Sequence, residues 1–224
     1  MASRDEILRE LRLAPEWRLR RGEIAAGQVA GSPVEGVPAP PPTAATRLER
    51  IATLGWDEFA ADVGACTACG LCRTRNKAVP GVGDVRAQWM LIGEAPGAEE
   101  DARGEPFVGQ AGKLLDNMLA ALGMNRRDNV YIANVLKCRP PGNRTPEPVE
   151  VDACRPYLER QIALIRPQLI VALGKSAASL LLGTDASIAS LRGRVHRVGD
   201  VPLVVTYHPA YLLRSLQEKA KAWE

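Results

Sequence analysis

Trp89-Met90-Leu91-Ile92-Gly93-Glu94-Ala95-Pro96-Gly97 opens as a short apolar strand and ends in a loop of small residues around one carboxylate. An unbroken apolar run of this length suits a strand buried on both faces, as in a parallel sheet. Working outward, runs of the same kind recur at Val130–Ala133, Leu169–Leu173 and Leu203–Tyr207. Helical patterns fall between them, over Gly112–Leu122, Glu147–Ile165 and Lys175–Leu182. Short apolar strands separated by helices predict a largely parallel sheet with helices on both faces.

Ligands of such sheets bind beyond the carboxyl ends of the strands. The residues that leave each strand there carry the chemistry. Glu94 follows the first strand, in a loop whose small residues let backbone approach a ligand closely. Asn134 follows the second, and His208 follows the last in the run His208-Pro209-Ala210-Tyr211-Leu212-Leu213-Arg214. Carboxylate, amide and imidazole thus converge on one sheet edge, as a catalytic pocket requires. Phe107 stands in Gly104-Glu105-Pro106-Phe107-Val108-Gly109, outside any periodic core segment. A planar ring at a pocket mouth can stack on a nucleobase.

Before this region, residues 1–24 hold a short amphipathic pattern in which Ser3 and Glu6 are spaced as a capping box. Residues 25–46 are rich in Ala, Gly and Pro, including Pro40-Pro41-Pro42, and predict a partly extended linker. The expected organisation is an N-terminal extension over 1–46 and one folded domain over 47–224. Leu48, Ile51, Leu54, Phe59 and Val63 predict one or two helices leading into Cys66.

Composition narrows the class of protein. At 224 residues with 46% hydrophobic content, the chain suits a globular domain with an appendage. No apolar run approaches the ~20 residues of a membrane-spanning helix. The first residues, MASRDEILRELR, lack the apolar core of a secretory signal, so a cytoplasmic protein is expected, and a monomer is expected besides. A net charge of +3 permits nucleic-acid binding only if the positive charge is local. Two stretches offer it: Lys137, Arg139 and Arg144, and the end of the last motif. In the latter, Leu212 and Leu213 could wedge between bases while Arg214 meets a phosphate.

Five cysteines in such a chain suit metal ligation rather than disulfides. Cys66 and Cys69 form C-x2-C, Cys72 extends it, and Cys138 and Cys154 follow far downstream. Two thiol pairs can hold zinc or an iron–sulfur cluster, and spacing does not separate these. Four ligands leave one cysteine over, expected to be Cys72.

CTAC, GEAPGAEED, GEPFVGQAGKLLD, VYIANVLKCRPPGNRTP, LIVALGKSAA and HPAYLLR, in that order, resemble the family-4 uracil-DNA glycosylases over roughly Cys66 to Arg214. The resemblance implies a three-layer α/β/α fold with a central four-stranded parallel sheet flanked by helices. It implies a 4Fe-4S cluster on Cys66, Cys69, Cys138 and Cys154, uracil-containing DNA as substrate, and no membrane. By motif, Phe107 would stack on the flipped uracil, Asn134 would read its O4 and N3–H edge, and His208 would contact O2. Glu94 and the Ala95 backbone would line the pocket, with Glu94 ahead of Glu100 as the group that activates water. Cluster loss is expected to weaken DNA binding more than it alters the pocket, through the cation-bearing loop around Cys138. Related enzymes that trap DNA covalently carry Gln after the motif's Glu and an inserted basic loop. Ala95 stands at that place here, so turnover is expected. The resemblance also leads one to expect the last helix to run on beyond Glu224. The alternatives are a non-catalytic iron–sulfur or zinc module that binds nucleic acid, and another nucleotide-handling hydrolase. GEAPG lacks the Lys-Ser/Thr of a phosphate-binding loop, which disfavours the second.

Overall fold

A computed structural model describes residues 44–222 of the chain. The amphipathic pattern of residues 1–24 and nearly all of the proline-rich stretch lie outside the described residues. The first described helix, α1, is Ala44–Thr53, so helix begins slightly before the expected boundary. A second, α2, is Trp56–Ala65, with Gly55 as its N-cap. Ile51, Leu54, Phe59 and Val63 of this pair form a small cluster with Tyr157.

The sheet has six strands in the order β1-β3-β2-β4-β6-β5. Four are parallel and central: β2 (Trp89–Gly93), β3 (Val130–Asn134), β4 (Leu169–Leu173) and β6 (Val201–Thr206). These are the four expected strands, with Tyr207 falling just past the end of the last. The expected four-stranded sheet gains an antiparallel strand on each edge, β1 (Val82–Gly83) and β5 (Val195–Val198). Both escape a search for apolar runs. One is two residues long, and the other mixes its valines with His196 and Arg197.

Alternate side chains of the central strands feed two cores, as the two-residue strand period requires. Met90 and Ile92 of β2 join Leu158 and Ile165 on one face. Leu91 joins Leu115 and Leu119 on the other. Helix α3 (Ala98–Arg103) and helix α4 (Gln110–Ala121) follow β2, helix α5 (Pro148–Ile165) follows β3, and helix α6 (Lys175–Leu182) follows β4. Helices on both faces make the three-layer α/β/α arrangement.

Register aligns the strand ends. Gly93 pairs with Asn134, and Leu173 with Thr206. The exits stay tied beyond the strands, because Val135 and Leu136 donate to the Gly93 and Glu94 carbonyls at 2.9 and 3.0 Å. Gly174 N–H likewise donates to Thr206 O at 2.8 Å. The loops that carry the expected site residues therefore leave from one braced edge.

Candidate active site

A cavity of about 480 Å³ opens at this edge, and Glu94, Ala95, Glu100, Phe107, Asn134 and His208 all line it. Gly93 makes the convergence possible. A Cβ there would stand 2.4 Å from Asn134 Oδ1 and 2.8 Å from Phe107 Cζ, so only glycine lets amide and ring meet over the strand end.

Asn134 is 2% exposed. Its side-chain amide makes no hydrogen bond to any other described residue, yet it faces the cavity. A buried amide normally spends its hydrogen bonds, since leaving them unmade costs about 1–3 kcal/mol each. At a cavity wall, the donor and acceptor of this amide are open to whatever polar group occupies the cavity.

His208 caps the short helix α7 (Pro209–Arg214), with Nδ1 accepting from Ala210 N–H at 3.1 Å. That bond needs Nδ1 unprotonated, so in the neutral ring the proton sits on Nε2 and is free for donation. Burial, with help from the Arg214 charge and against that of Glu100, pushes the imidazole down to about 4. It is therefore neutral near pH 7. Its ring stacks against Phe107 with centroids 5.5 Å apart and planes 29° off parallel. A base cannot lie between the two rings at that spacing, because two stacked layers need roughly twice the ~3.5–4.0 Å contact distance. A base that stacks on Phe107 must therefore use the ring face turned away from His208.

Phe107 has φ 53°, a left-handed backbone that an aromatic residue seldom adopts, at a cost of about 1–3 kcal/mol. The turn that contains it is gripped from two sides. Glu100 Oε1 accepts from Val108 and Gly109 N–H at 3.0 and 3.2 Å, and its Oε2 from Gly97 N–H at 3.1 Å. On the other side Arg126 donates to the Phe107 and Pro106 carbonyls. Glu100 thus spends its carboxylate on backbone. Glu94 makes no side-chain hydrogen bond to another described residue and lines the same cavity, so of the two its carboxylate is the one left uncommitted.

The expected DNA contacts need correction. Lys137 is 1% exposed and turns inward, with Nζ donating to Asn134 O at 2.7 Å and to Gln161 Oε1. It cannot reach a phosphate. Burial pushes its ammonium down to about 8, while the nearby Cys154 and Cys138 sulfurs pull it up. Arg144 is exposed, but Glu150 holds it by two bonds, of 2.9 and 2.6 Å, and Glu147 by a third. Arg139 donates to Asn143 from Nε. The expected patch of three free cations is therefore one buried ammonium, one ion-paired guanidinium and one half-buried arginine. In the last motif Leu212 is 1% exposed and packs inward, whereas Leu213 and Tyr211 are exposed. Any wedge falls to those two. Tyr211, to which the sequence assigned no role, lines the cavity and stacks on Tyr207 at 5.3 Å. Arg214 is exposed and lines the cavity.

All five cysteines line a second cavity, behind the exit of β3. Among the described residues no three His, Cys, Asp or Glu side chains stand together as a ready ligand set. The chemistry of the cavity nonetheless fits a thiolate-held group of negative charge. Arg75 Nη1 donates to Cys138 Sγ at 3.0 Å, Lys137 N–H to Cys154 Sγ at 3.2 Å, and Arg47 Nη2 reaches Cys66 Sγ at 3.7 Å. Burial pushes the Cys154 thiol up to about 11 and raises Cys138 and Cys69. For Cys66 burial is outweighed by hydrogen bonds from Ala68, Tyr157 and Arg47, which carry it below its ordinary value. Cys72 lines the same wall, so position does not set it apart from the other four.

The α/β fold thus brings an amide, a neutral imidazole, a strained aromatic and a carboxylate together at its strand ends. The model of the uracil DNA glycosylase superfamily matches residues 80–224. The chain belongs to that superfamily. It is 46% identical to the type-4 uracil-DNA glycosylase of Archaeoglobus fulgidus over 165 residues, which cover 70% of this chain and 82% of that one. It is 47% identical to the type-4 enzyme of Thermotoga maritima over 155 residues, 68% of this chain and 80% of the other. A type-5 uracil-DNA glycosylase of Pyrobaculum aerophilum is 34% identical over 153 residues, 61% and 67% of the two chains.

Proposed function

We propose that this chain hydrolyses the N-glycosidic bond of an extrahelical uracil in DNA, leaving an abasic site. The unspent amide of buried Asn134 carries the reading. One asparagine side chain offers an acceptor and a donor together, which matches the N3–H and O4 of uracil. Cytosine presents the opposite pattern, and a pinned amide would be left mispaired.

Uracil must leave the stack before it can reach such a cavity, at a cost of a few kcal/mol. Phe107 offers it a planar surface in return. As the bond between C1′ and N1 breaks, positive charge gathers on the sugar and negative charge on the departing base. The Nε2–H of His208 donates to O2 of that anion, and as a neutral donor it stabilises the charge without giving up its proton. Glu94 accepts a proton from water as the water oxygen bonds to C1′. The departing uracil anion is protonated by solvent. Glu100 shapes the turn around Phe107 rather than touching water.

A 4Fe-4S cluster would be held by Cys66, Cys69, Cys138 and Cys154, where it would supply a structural cross-link between chain segments. Arg47, Arg75 and Lys137 bring positive charge to its surroundings. Because burial keeps most of these thiols protonated when empty, loading must release protons. Among the described residues no helix is long and apolar enough to cross a membrane. A monomer acting in the cytoplasm, with Leu213, Tyr211 and Arg214 on the DNA, completes the proposal.

Incubating the purified protein with an oligonucleotide carrying one uracil, then cleaving abasic sites with alkali, tests it. Strand scission at uracil and none at cytosine is expected. Intact uracil strands, with the protein folded and loaded, would overturn it.

A further inference from the structure

We propose that Arg126 is a positioning residue that holds Phe107 ready to receive the base. The proposal rests on the reading of Phe107 as the stacking surface and adds the device that sets it. Four acceptors converge on this one guanidinium. Nε donates to Asp116 Oδ1 at 2.8 Å, Nη1 to Glu105 Oε1 and Pro106 O at 3.2 Å each, and Nη2 to Phe107 O at 2.8 Å. Its side chain is 15% exposed, while Glu105 and Asp116 are near half exposed. The guanidinium therefore links two surface carboxylates to two backbone carbonyls beneath them.

The carbonyls it takes belong to the residue in the left-handed conformation and the one before it. The amides just after, Val108 and Gly109, go to Glu100. One turn is thus stretched between a cation that collects its carbonyls and an anion that collects its amides. Release either and the backbone at Phe107 loses what opposes its relaxation to negative φ. Gly112 makes the grip possible, because a Cβ there would lie 1.7 Å from Phe107 O. The ring has little room to compensate, with Gly93 at its edge and His208 against its face. A rotated peptide therefore becomes a displaced ring. Lysine keeps the charge but lacks the fork, so it cannot serve four acceptors at once.

Arg126→Lys tests this by two readouts. Amide hydrogen exchange at Val108 and Gly109 should speed up on the order of tenfold, with exchange in β2 and β3 unchanged. The kcat/KM for uracil excision should fall by at least about tenfold, as displaced positioning groups cost. In a Phe107→Ala background the same change should cost little more, because it acts through the ring. Asp116→Asn, on an exposed sponsor of the guanidinium, should move both readouts in the same direction by less, and serves if the lysine variant folds poorly. Unchanged exchange at these two amides overturns the clamp whatever the activity does. Faster exchange with wild-type kcat/KM overturns its role in catalysis, and an undiminished loss in the Phe107→Ala background overturns its action through the ring. If the wild-type protein excises no uracil, the functional reading fails and the clamp is judged on exchange alone.

Discussion

The two walls of the cavity are held in place by opposite means. Phe107 sits on a strained turn gripped by Glu100 and Arg126, and Arg126 reaches toward solvent through Glu105 and Asp116. Asn134 ends a strand buried along its whole length, and the group that secures its carbonyl is a wholly buried ammonium. That ammonium completes a network through Gln161 to Tyr131 and to Pro80 O. Lys137 also donates its backbone N–H to Cys154, and Cys138 follows it directly, so the Asn134 wall is continuous with the thiol cavity. The Phe107 wall meets the thiol cavity only at a remove, through Asp101, which accepts from Asn76, and Arg75 beside it, which donates to Cys138. One wall is braced from the surface and the other from the cluster side, and they should fail independently.

This comparison bears on one sequence-based expectation. With the cations around Cys138 on the surface, loss of the cluster would weaken DNA binding more than it alters the pocket. With Lys137 pointing inward, disturbing the thiols reaches Asn134 first.

The largest effect belongs to the amide itself. Asn134→Ala should lower kcat/KM for uracil by at least a hundredfold or so, since the reading group is gone, without unfolding the chain. Steady-state excision beside a thermal melt checks both halves. A wild-type rate would remove the pocket assignment.

Next comes the ammonium behind it. Lys137→Met leaves Asn134 O and Gln161 short of a partner and should cost about 1–3 kcal/mol of stability. Excision should slow by roughly tenfold through the displaced amide. The slope of DNA affinity against salt should not change, because a buried cation neutralises no phosphate. A shallower slope would return Lys137 to the DNA surface and erase the contrast between the walls.

The smallest effect concerns His208, where the walls meet. Its folded value of about 4 lies below the ordinary value of 6.5. Between those pH values the unfolded chain binds a proton that the folded one refuses. Its stability contribution is complete above pH 6.5 and falls as pH drops toward 4. His208→Asn retains a cap on the helix, so it should lose about 2 kcal/mol less than wild type between pH 7 and 5, read from melts at both. An equal loss in both proteins would mean that His208 is not held neutral.

The four central strands were legible because each is an unbroken apolar run, and the site followed from what leaves them. Glu94, Asn134 and His208 meet because parallel strands end together, while Phe107 stood out as an aromatic among turn residues. What was not legible is direction. Lys137 lies between cations in a polar loop, and its turn inward is set by Asn134 O and by Gln161, on a helix 24 residues further on. Leu212 and Leu213 are chemically alike, and a six-residue helix decides which is buried. Arg126, beside Arg127 and Asp128, reads as an ordinary polar turn, and its partners are carbonyls, which sequence does not display.

The two antiparallel edge strands have a consequence for life at high concentration. The outer rim of a sheet is a row of unpaired backbone groups on which a neighbouring chain can grow. Here one rim is only Val82–Gly83, too short to template a lasting pairing. The other, Val195–Val198, exposes Val195 but brackets it with Arg194 and Arg197. Charge on the one side and brevity on the other discourage fibre-like stacking, which leaves the apolar central strands free of that hazard once the chain has folded.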